Sequence, residues 1–248
     1  MFLDHYIRSV ELLKDTIPDN KVYPFSLPAV KYLDTIDFDE HITFLVWENG
    51  TWKSTLLEAI AIHYGFNPEW WSKNFNFATE HSHSVLEQNI RVVKWITRPK
   101  DWYFLRAESF YNVASNIDAL DKWGWWAPIK YSYGWKSLHE QSHWEAFFSL
   151  FMHRFGGNGI YLLDEPEAAL SPQRQLAFLI RLNELIQQKS QFIIATHSPI
   201  LLAYPNAKII TISEKGYKEV KYEDTDHYQV YKSFLQDHQG MIKKLGIN

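Results

Sequence analysis

The sequence predicts an α/β fold, a mostly parallel sheet between two layers, with a small antiparallel β portion near the N-terminus and a helical lobe. Three observations carry this. Residues 160–163 and 191–195 are short runs of the kind buried on both faces of a parallel sheet. Strand-like and helix-like segments alternate along the chain, the order that builds three-layer sheets. Residues 41–65, HITFLVWENGTWKSTLLEAIAIHYG, pass from a β-branched apolar run through Asn49-Gly50 into a helical pattern. In such folds ligands bind beyond the carboxyl ends of the strands, so the residues there are the candidates.

Taken in order, residues 6–12 and 21–25 read as short strands with mixed faces that pair near the main sheet. The strand at 42–46 leads to a helix over 53–64, whose Leu56, Leu57, Ile60 and Ala61 recur at helical spacing. Residues 65–83, rich in Asn, Ser and aromatics, lack periodicity and read as a loop or lid. Strands are expected at 92–96 and 103–105, a helix over 108–120, and an aromatic loop over 122–136. The segment 139–155 is a strong helix, with Phe147, Phe148, Phe151 and Phe155 on one face and Gly156-Gly157 ending it. Ser171-Pro172 suits the start of a helix running to about residue 188. Closing strands at 208–212 and 218–222 and one helix over 228–245 finish the chain. No internal repeat or low-complexity linker divides it. One domain spanning 1–248 is therefore expected, with a helical or lid lobe at about 66–155 inserted between its two halves.

The net charge of −4 gives no global basic field for nucleic acid, although a local patch remains compatible with it. The absence of cysteine excludes a disulfide framework and a thiolate metal site, and suits a reducing cytoplasm. No apolar run approaches the ~20 residues of a membrane span, and the N-terminus lacks a signal-peptide core, so a soluble cytoplasmic protein is expected. The chain has 11 Trp but only 10 Gly in 248 residues, against a usual glycine content near ~7%. Several tryptophans fall in turn-like neighbourhoods where glycine supplies positive φ: Trp70-Trp71, Trp123, Trp125-Trp126 and Trp135.

Strand, tight loop, Lys53-Ser54-Thr55 and helix form the layout of a phosphate-binding loop. There, backbone N–H groups and a helix N-terminus wrap a phosphate, a lysine reaches the β/γ oxygens and a hydroxyl holds Mg²⁺. The pattern for such a loop is G-x-x-x-x-G-K-[ST], yet both required glycines are tryptophan here, Trp47 and Trp52. Asp164-Glu165 ends an apolar strand, where one carboxylate can reach Mg²⁺ and the next can orient or deprotonate water. An acidic surface turn is the ordinary alternative. His197, in Thr-His-Ser-Pro after the next strand, can hydrogen-bond a phosphate or act as a surface or capping residue. The other ten histidines are read as surface or capping residues. Ser142 and Glu145 have the spacing of a capping box.

Together, V-x-E-N-G-T-x-K-S-T-L-L-E-A-I-A, S-L-H-E-Q-S-H-x-E-A, Y-L-L-D-E-P-E-A-A-L-S-P-Q-R-Q and F-I-I-A-T-H-S-P-I-L resemble the ABC-type ATPase branch of the P-loop NTPases. More narrowly, they resemble small bacterial AAA-family ATPases related to the RecF and SMC heads but lacking their coiled coil. The resemblance runs from about residue 20 to 215. It implies ATP and Mg²⁺ as ligands, with Asn49, Gly50, Thr51, Trp52, Lys53, Ser54 and Thr55 in the Walker A loop. It also implies Ser54 and Asp164 at the metal, Glu165 as the catalytic glutamate and His197 as the switch histidine. Ala169-Leu170-Ser171 would form the D-loop. Ser142, His143, Trp144 and Glu145 would be the signature segment, reaching the partner's ATP across a head-to-tail homodimer. The dimer would act on a protein or nucleic-acid partner, and a role at DNA ends rests on analogy alone.

The family has glycine where this chain has Trp47, Trp52 and Trp144. At position 52 the backbone must approach a phosphate, and a side chain forced into positive φ costs ~1–2 kcal/mol before its bulk is counted. Three readings follow. In a genome that reads UGA as glycine, a table reading UGA as tryptophan would write Trp at a subset of glycines. Alternatively, the chain is a catalytically dead pseudo-ATPase kept as a dimerisation or interaction module. The third reading is deliberate substitution. A codon other than UGA at 47, 52 or 144 would defeat the first.

Overall fold

The computed structural model describes residues 5–17, 19, 21–47, 52–65, 85–106, 148, 151–213 and 216–247; at 28, 29, 52 and 53 only the backbone is described. Within these, a six-stranded sheet runs in the order β5-β6-β7-β3-β8-β9. Its members are β3 (Ile42–Trp47), β5 (Asp101–Arg106), β6 (Gly159–Asp164), β7 (Gln191–Ala195), β8 (Lys208–Ser213) and β9 (Gly216–Val220). The first five are mutually parallel, and only β9 returns antiparallel beside β8. Every residue of β3, β6 and β7 is buried, as strands covered on both faces must be.

The two faces follow from side-chain alternation. Leu45, Leu162, Ile193 and Ile210 point to one side, where they meet Leu56, Leu57 and Ile60 of α1 (Trp52–Tyr64). On that side also lies a second, antiparallel sheet ordered β2-β1-β4, from β2 (Thr35–Asp37), β1 (Ile7–Leu12) and β4 (Ile90–Lys94). Phe44, Tyr161, Leu163, Phe192 and Ile194 point the other way, onto Phe178, Leu182 and Leu185 of α2 (Pro172–Gln187), with Phe151 and Phe155. The architecture is therefore the α/β, mostly parallel sheet with a small antiparallel portion that the sequence predicts.

Gln191 fastens the two sheets together. Its side chain, wholly buried, accepts from Tyr6 N at 2.8 Å and Ile7 N at 2.9 Å, and donates to the carbonyls of Ile7 at 2.9 Å and Phe38 at 3.3 Å. One buried amide thus serves two N–H groups and two carbonyls at the junction of the sheets.

Three expectations change. Residues 21–25 form turns rather than a strand, because Pro24 cannot donate to a ladder, and β1 pairs instead with β2 and β4. The expected strand at 92–96 begins earlier, at Ile90, and belongs to the small sheet. The expected C-terminal helix is two, α3 (Asp226–Gln236) and α4 (His238–Lys244), since the Asp237 side chain accepts from Gly240 N and starts a new helix. The expected helix at 108–120 and the loops at 66–83 and 122–136 lie outside the described residues. Of 139–155, residues 148 and 151–153 are helical. Among the described residues, no helix is long and apolar enough to cross a membrane.

Candidate functional site

Parallel register brings the site to one edge. Arg106, Asp164, Ala195, Leu45 and Ile210 stand abreast across β5, β6, β7, β3 and β8. The chain therefore leaves β6 into Glu165, β7 into Thr196-His197 and β3 at Trp47 along the same carboxyl edge. Two hydrogen bonds carry the ladder past the strand ends: Glu165 N donates to the Ala195 carbonyl at 2.9 Å and Thr196 N to that of Leu45 at 3.2 Å.

Ser54 lies in the first turn of α1, and its hydroxyl donates to Asp164 Oδ2 at 2.6 Å. The Asp164 side chain is 3% exposed, and burial lifts its carboxyl from 3.8 to about 6. The Ser54 hydrogen bond and the Arg106 guanidinium pull in the opposite direction, and the carboxylates of Glu165 and Glu58 push it up. Arg106 Nε sits 3.4 Å from Asp164 Oδ2, and its Nη1 donates to Glu58 Oε1 at 3.0 Å. Among the described residues, no hydrogen-bond partner meets Asp164 Oδ1.

Glu165 adopts the left-handed conformation, φ 50° and ψ 52°, as the chain turns from β6 into the short 3₁₀ turn Pro166–Ala169. This turn aims its half-exposed carboxylate along the sheet edge, where Oε1 is 3.7 Å from His197 Nε2. His197 is held at its backbone, where N donates to Glu167 Oε1 at 2.6 Å. The cap of the helical turn Pro199–Leu202 is Ser198, whose hydroxyl accepts from Ile200 N and Leu201 N and donates to Gln175 Oε1 at 2.5 Å. Gln175 Nε2 donates in turn to the Leu170 carbonyl at 3.1 Å, tying 169–171 to the end of β7.

Ser54, Asp164, Glu165 and His197 thus share one edge. Thr55 is buried, its hydroxyl 3.5 Å from that of Tyr23. Trp52 and Lys53 open α1, described by backbone alone. Asn49, Gly50, Thr51, Ser142, His143, Trp144 and Glu145 lie outside the described residues.

Three participants escape the sequence reading. Glu58 stands four residues after Ser54, on the same helix face, a spacing that could have revealed it. Arg106 extends β5 one residue past the expected strand. His227 is the correction: one of the ten histidines read as surface or capping residues, its Nε2 is 2.9 Å from His197 Nδ1. No local pattern announces a contact spanning 30 residues.

Residues 145–203 match the family described as "AAA domain, putative AbiEii toxin, Type IV TA system". No curated protein matches the chain. Among solved structures it is similar to one described as "An inward-facing conformation of a putative metal-chelate type ABC transporter" (TM-score 0.47, 15% identity, 91% of this chain and 88% of that one). Another is the SMC head domain from Thermotoga maritima (TM-score 0.44, 14% identity, 88% of this chain and 99% of that one). The family match agrees with the resemblance to the ABC-type branch of the P-loop ATPases, and the two-sheet α/β architecture is the fold which that resemblance implies.

Proposed function

We propose that the chain, with glycine at positions 52 and 144, is an ABC-type ATPase that binds ATP with Mg²⁺ between two head-to-tail copies and uses its hydrolysis to act on a partner. The observation that carries this is the Ser54 hydroxyl 2.6 Å from Asp164, with Glu165 and His197 beside them on one sheet edge. Such a grouping is what phosphoryl transfer to water needs: a metal-binding oxygen pair, a base and a donor to a phosphate oxygen.

The oxygens fit Mg²⁺, a hard ion that takes carboxylate and hydroxyl ligands. Asp164 Oδ1 is buried and lacks a hydrogen-bond partner among the described residues, as a ligand oxygen would without its ion. Ser54 and Asp164 would hold the ion, which when bound neutralises charge on the phosphates. Glu165, more exposed than Asp164, would accept the proton of the attacking water. His197 would donate to a phosphate oxygen, and Lys53, in the first turn of α1, would reach the β/γ-phosphates. Residues 49–52 would supply the loop and 142–145 the partner-facing segment, within one domain whose lobe at about 66–155 interrupts it.

The alternative, a pseudo-ATPase serving as an interaction module, draws on Trp52 at the start of α1, where an indole would crowd a phosphate. The codons at 52 and 144 separate the two, and one experiment tests the site itself. Glu165→Gln is made in the chain as written and in a Trp52→Gly/Trp144→Gly background, and mass in solution is measured with and without ATP–Mg²⁺. The proposal expects the glycine-restored form alone to give an ATP-dependent dimer. A glycine-restored protein that binds no ATP would overturn it.

A further inference from the structure

His227 reaches the site from the C-terminal part of the chain. Its placement is built in steps. Thr225 is buried and caps α3, its hydroxyl accepting from Tyr228 N at 3.2 Å and donating to the Tyr222 carbonyl at 2.7 Å. Tyr222 donates through its phenol to the Pro199 carbonyl at 2.9 Å, and its ring meets that of Tyr228 edge-on at 4.8 Å. The start of α3 is thereby pinned to the turn that follows His197. His227, the second residue of α3, consequently lies with its ring centroid 5.1 Å from that of His197 and its Nε2 2.9 Å from His197 Nδ1.

We infer that His227 is a positioning residue that fixes the tautomer of His197, so that His197 offers an N–H rather than a lone pair to the carboxyl edge of the sheet. Two neutral imidazoles at hydrogen-bond distance need one N–H and one lone pair between them. The other nitrogen of His197, Nε2, faces the Glu165 carboxylate at 3.7 Å. An ionised carboxylate only accepts, so the proton belongs on Nε2 of His197. Nδ1 is then the lone pair, and His227 Nε2–H donates to it. The backbone bond from His197 N to Glu167 keeps the residue from moving away. With Nδ1 engaged, the opposite tautomer requires both rings to exchange protons together, and it would set the His197 Nε2 lone pair against the Glu165 carboxylate and any phosphate at the edge. Holding a histidine by its far nitrogen is how an outer residue sets what the near nitrogen presents.

The catalytic consequence rests on the proposed ATPase function; the tautomer does not. The test therefore begins without nucleotide. Long-range ¹H–¹⁵N spectra of histidine-labelled full-length protein report which ring nitrogen carries the proton, with His197 and His227 assigned by substitution. The expected result is a single Nε2–H tautomer for His197, replaced by averaged or Nδ1–H signals in His227→Phe and retained in His227→Gln, whose amide can still donate. A His197 pattern unchanged in His227→Phe overturns the inference. So does a His197 proton found on Nδ1 in the unsubstituted protein, which decides the matter even where His227→Phe does not fold. In the glycine-restored background, His227→Phe should lower kcat by about 10- to 100-fold with KM for ATP within about 2-fold, and His227→Gln should recover most of it. A fall in ATP affinity without a change of tautomer also overturns it. If the glycine-restored protein binds no ATP while the tautomer result holds, the ATPase reading fails and the histidine pairing stands.

Discussion

Replacing Asp164 with asparagine removes a charge that the fold holds at a cost. Burial raises this carboxyl from 3.8 to about 6, while in the unfolded chain it titrates near 3.8. Between those values the folded protein keeps a proton that the unfolded chain has released. Stability therefore falls as pH rises through the window and is level above it, a loss of about 3 kcal/mol from this group. The asparagine would still offer its amide oxygen to the Ser54 hydroxyl. It would give up the contact with Arg106, but that guanidinium keeps Glu58 at 3.0 Å and is 26% exposed, so it is not stranded. The shift already contains the attraction of Arg106, so Asp164→Asn should be more stable than the parent by about 3 kcal/mol at pH 7.5. Below pH 4 the advantage should vanish, because the parent is then protonated too. Urea denaturation of both proteins from pH 4 to 8 measures this, and the difference between the curves cancels every other titrating group. An asparagine variant less stable than the parent at pH 7.5 would refute the premise that the Asp164 charge is poorly solvated.

Two further outcomes follow from the same geometry. Gln191→Leu leaves two N–H groups and two carbonyls without the side chain that joins the sheets, and should lower stability by about 3 kcal/mol or more in urea denaturation; a loss under about 1 kcal/mol would mean water replaces the amide. Glu165→Gly relieves a left-handed conformation and should raise the melting temperature, with a gain of about 1 kcal/mol, while abolishing ATP hydrolysis in the glycine-restored background; hydrolysis that survives would remove Glu165 as the base.

The central sheet is legible because burial on both faces leaves a blunt signature. The β6 and β7 segments can only be strands, and parallel register then forces their ends, Asp164-Glu165 and Thr196-His197, onto one edge. The small sheet is less legible. Its strands are short and half-covered, and 21–25 reads as a strand only because β-prone residues outweigh the proline among them. Of the site's supporting groups, Glu58 is readable by helix spacing, whereas Arg106 depends on where β5 stops. His227 depends on α3 docking against the Pro199–Leu202 turn through Tyr222, a tertiary event without local sequence code.

The tryptophans divide once their surroundings are known. Position 47 groups with the loop glycines in the sequence because the apolar pattern ends at Val46, but β3 continues one residue further and pairs Trp47 with Ile212. In a strand no positive φ is called for, and the indole, 2% exposed, is part of the core beneath α1. Trp102 lies within β5, and Trp95 follows β4 with the Arg8 guanidinium 5.6 Å from its ring centre, so neither occupies a glycine-like turn. The steric objection to a phosphate therefore does not come from Trp47, whose replacement by glycine would open the core rather than the loop. It is carried by Trp52 at the start of α1 and by Trp144 in the proposed signature segment, and these are the two positions at which the proposed function expects glycine to restore nucleotide binding.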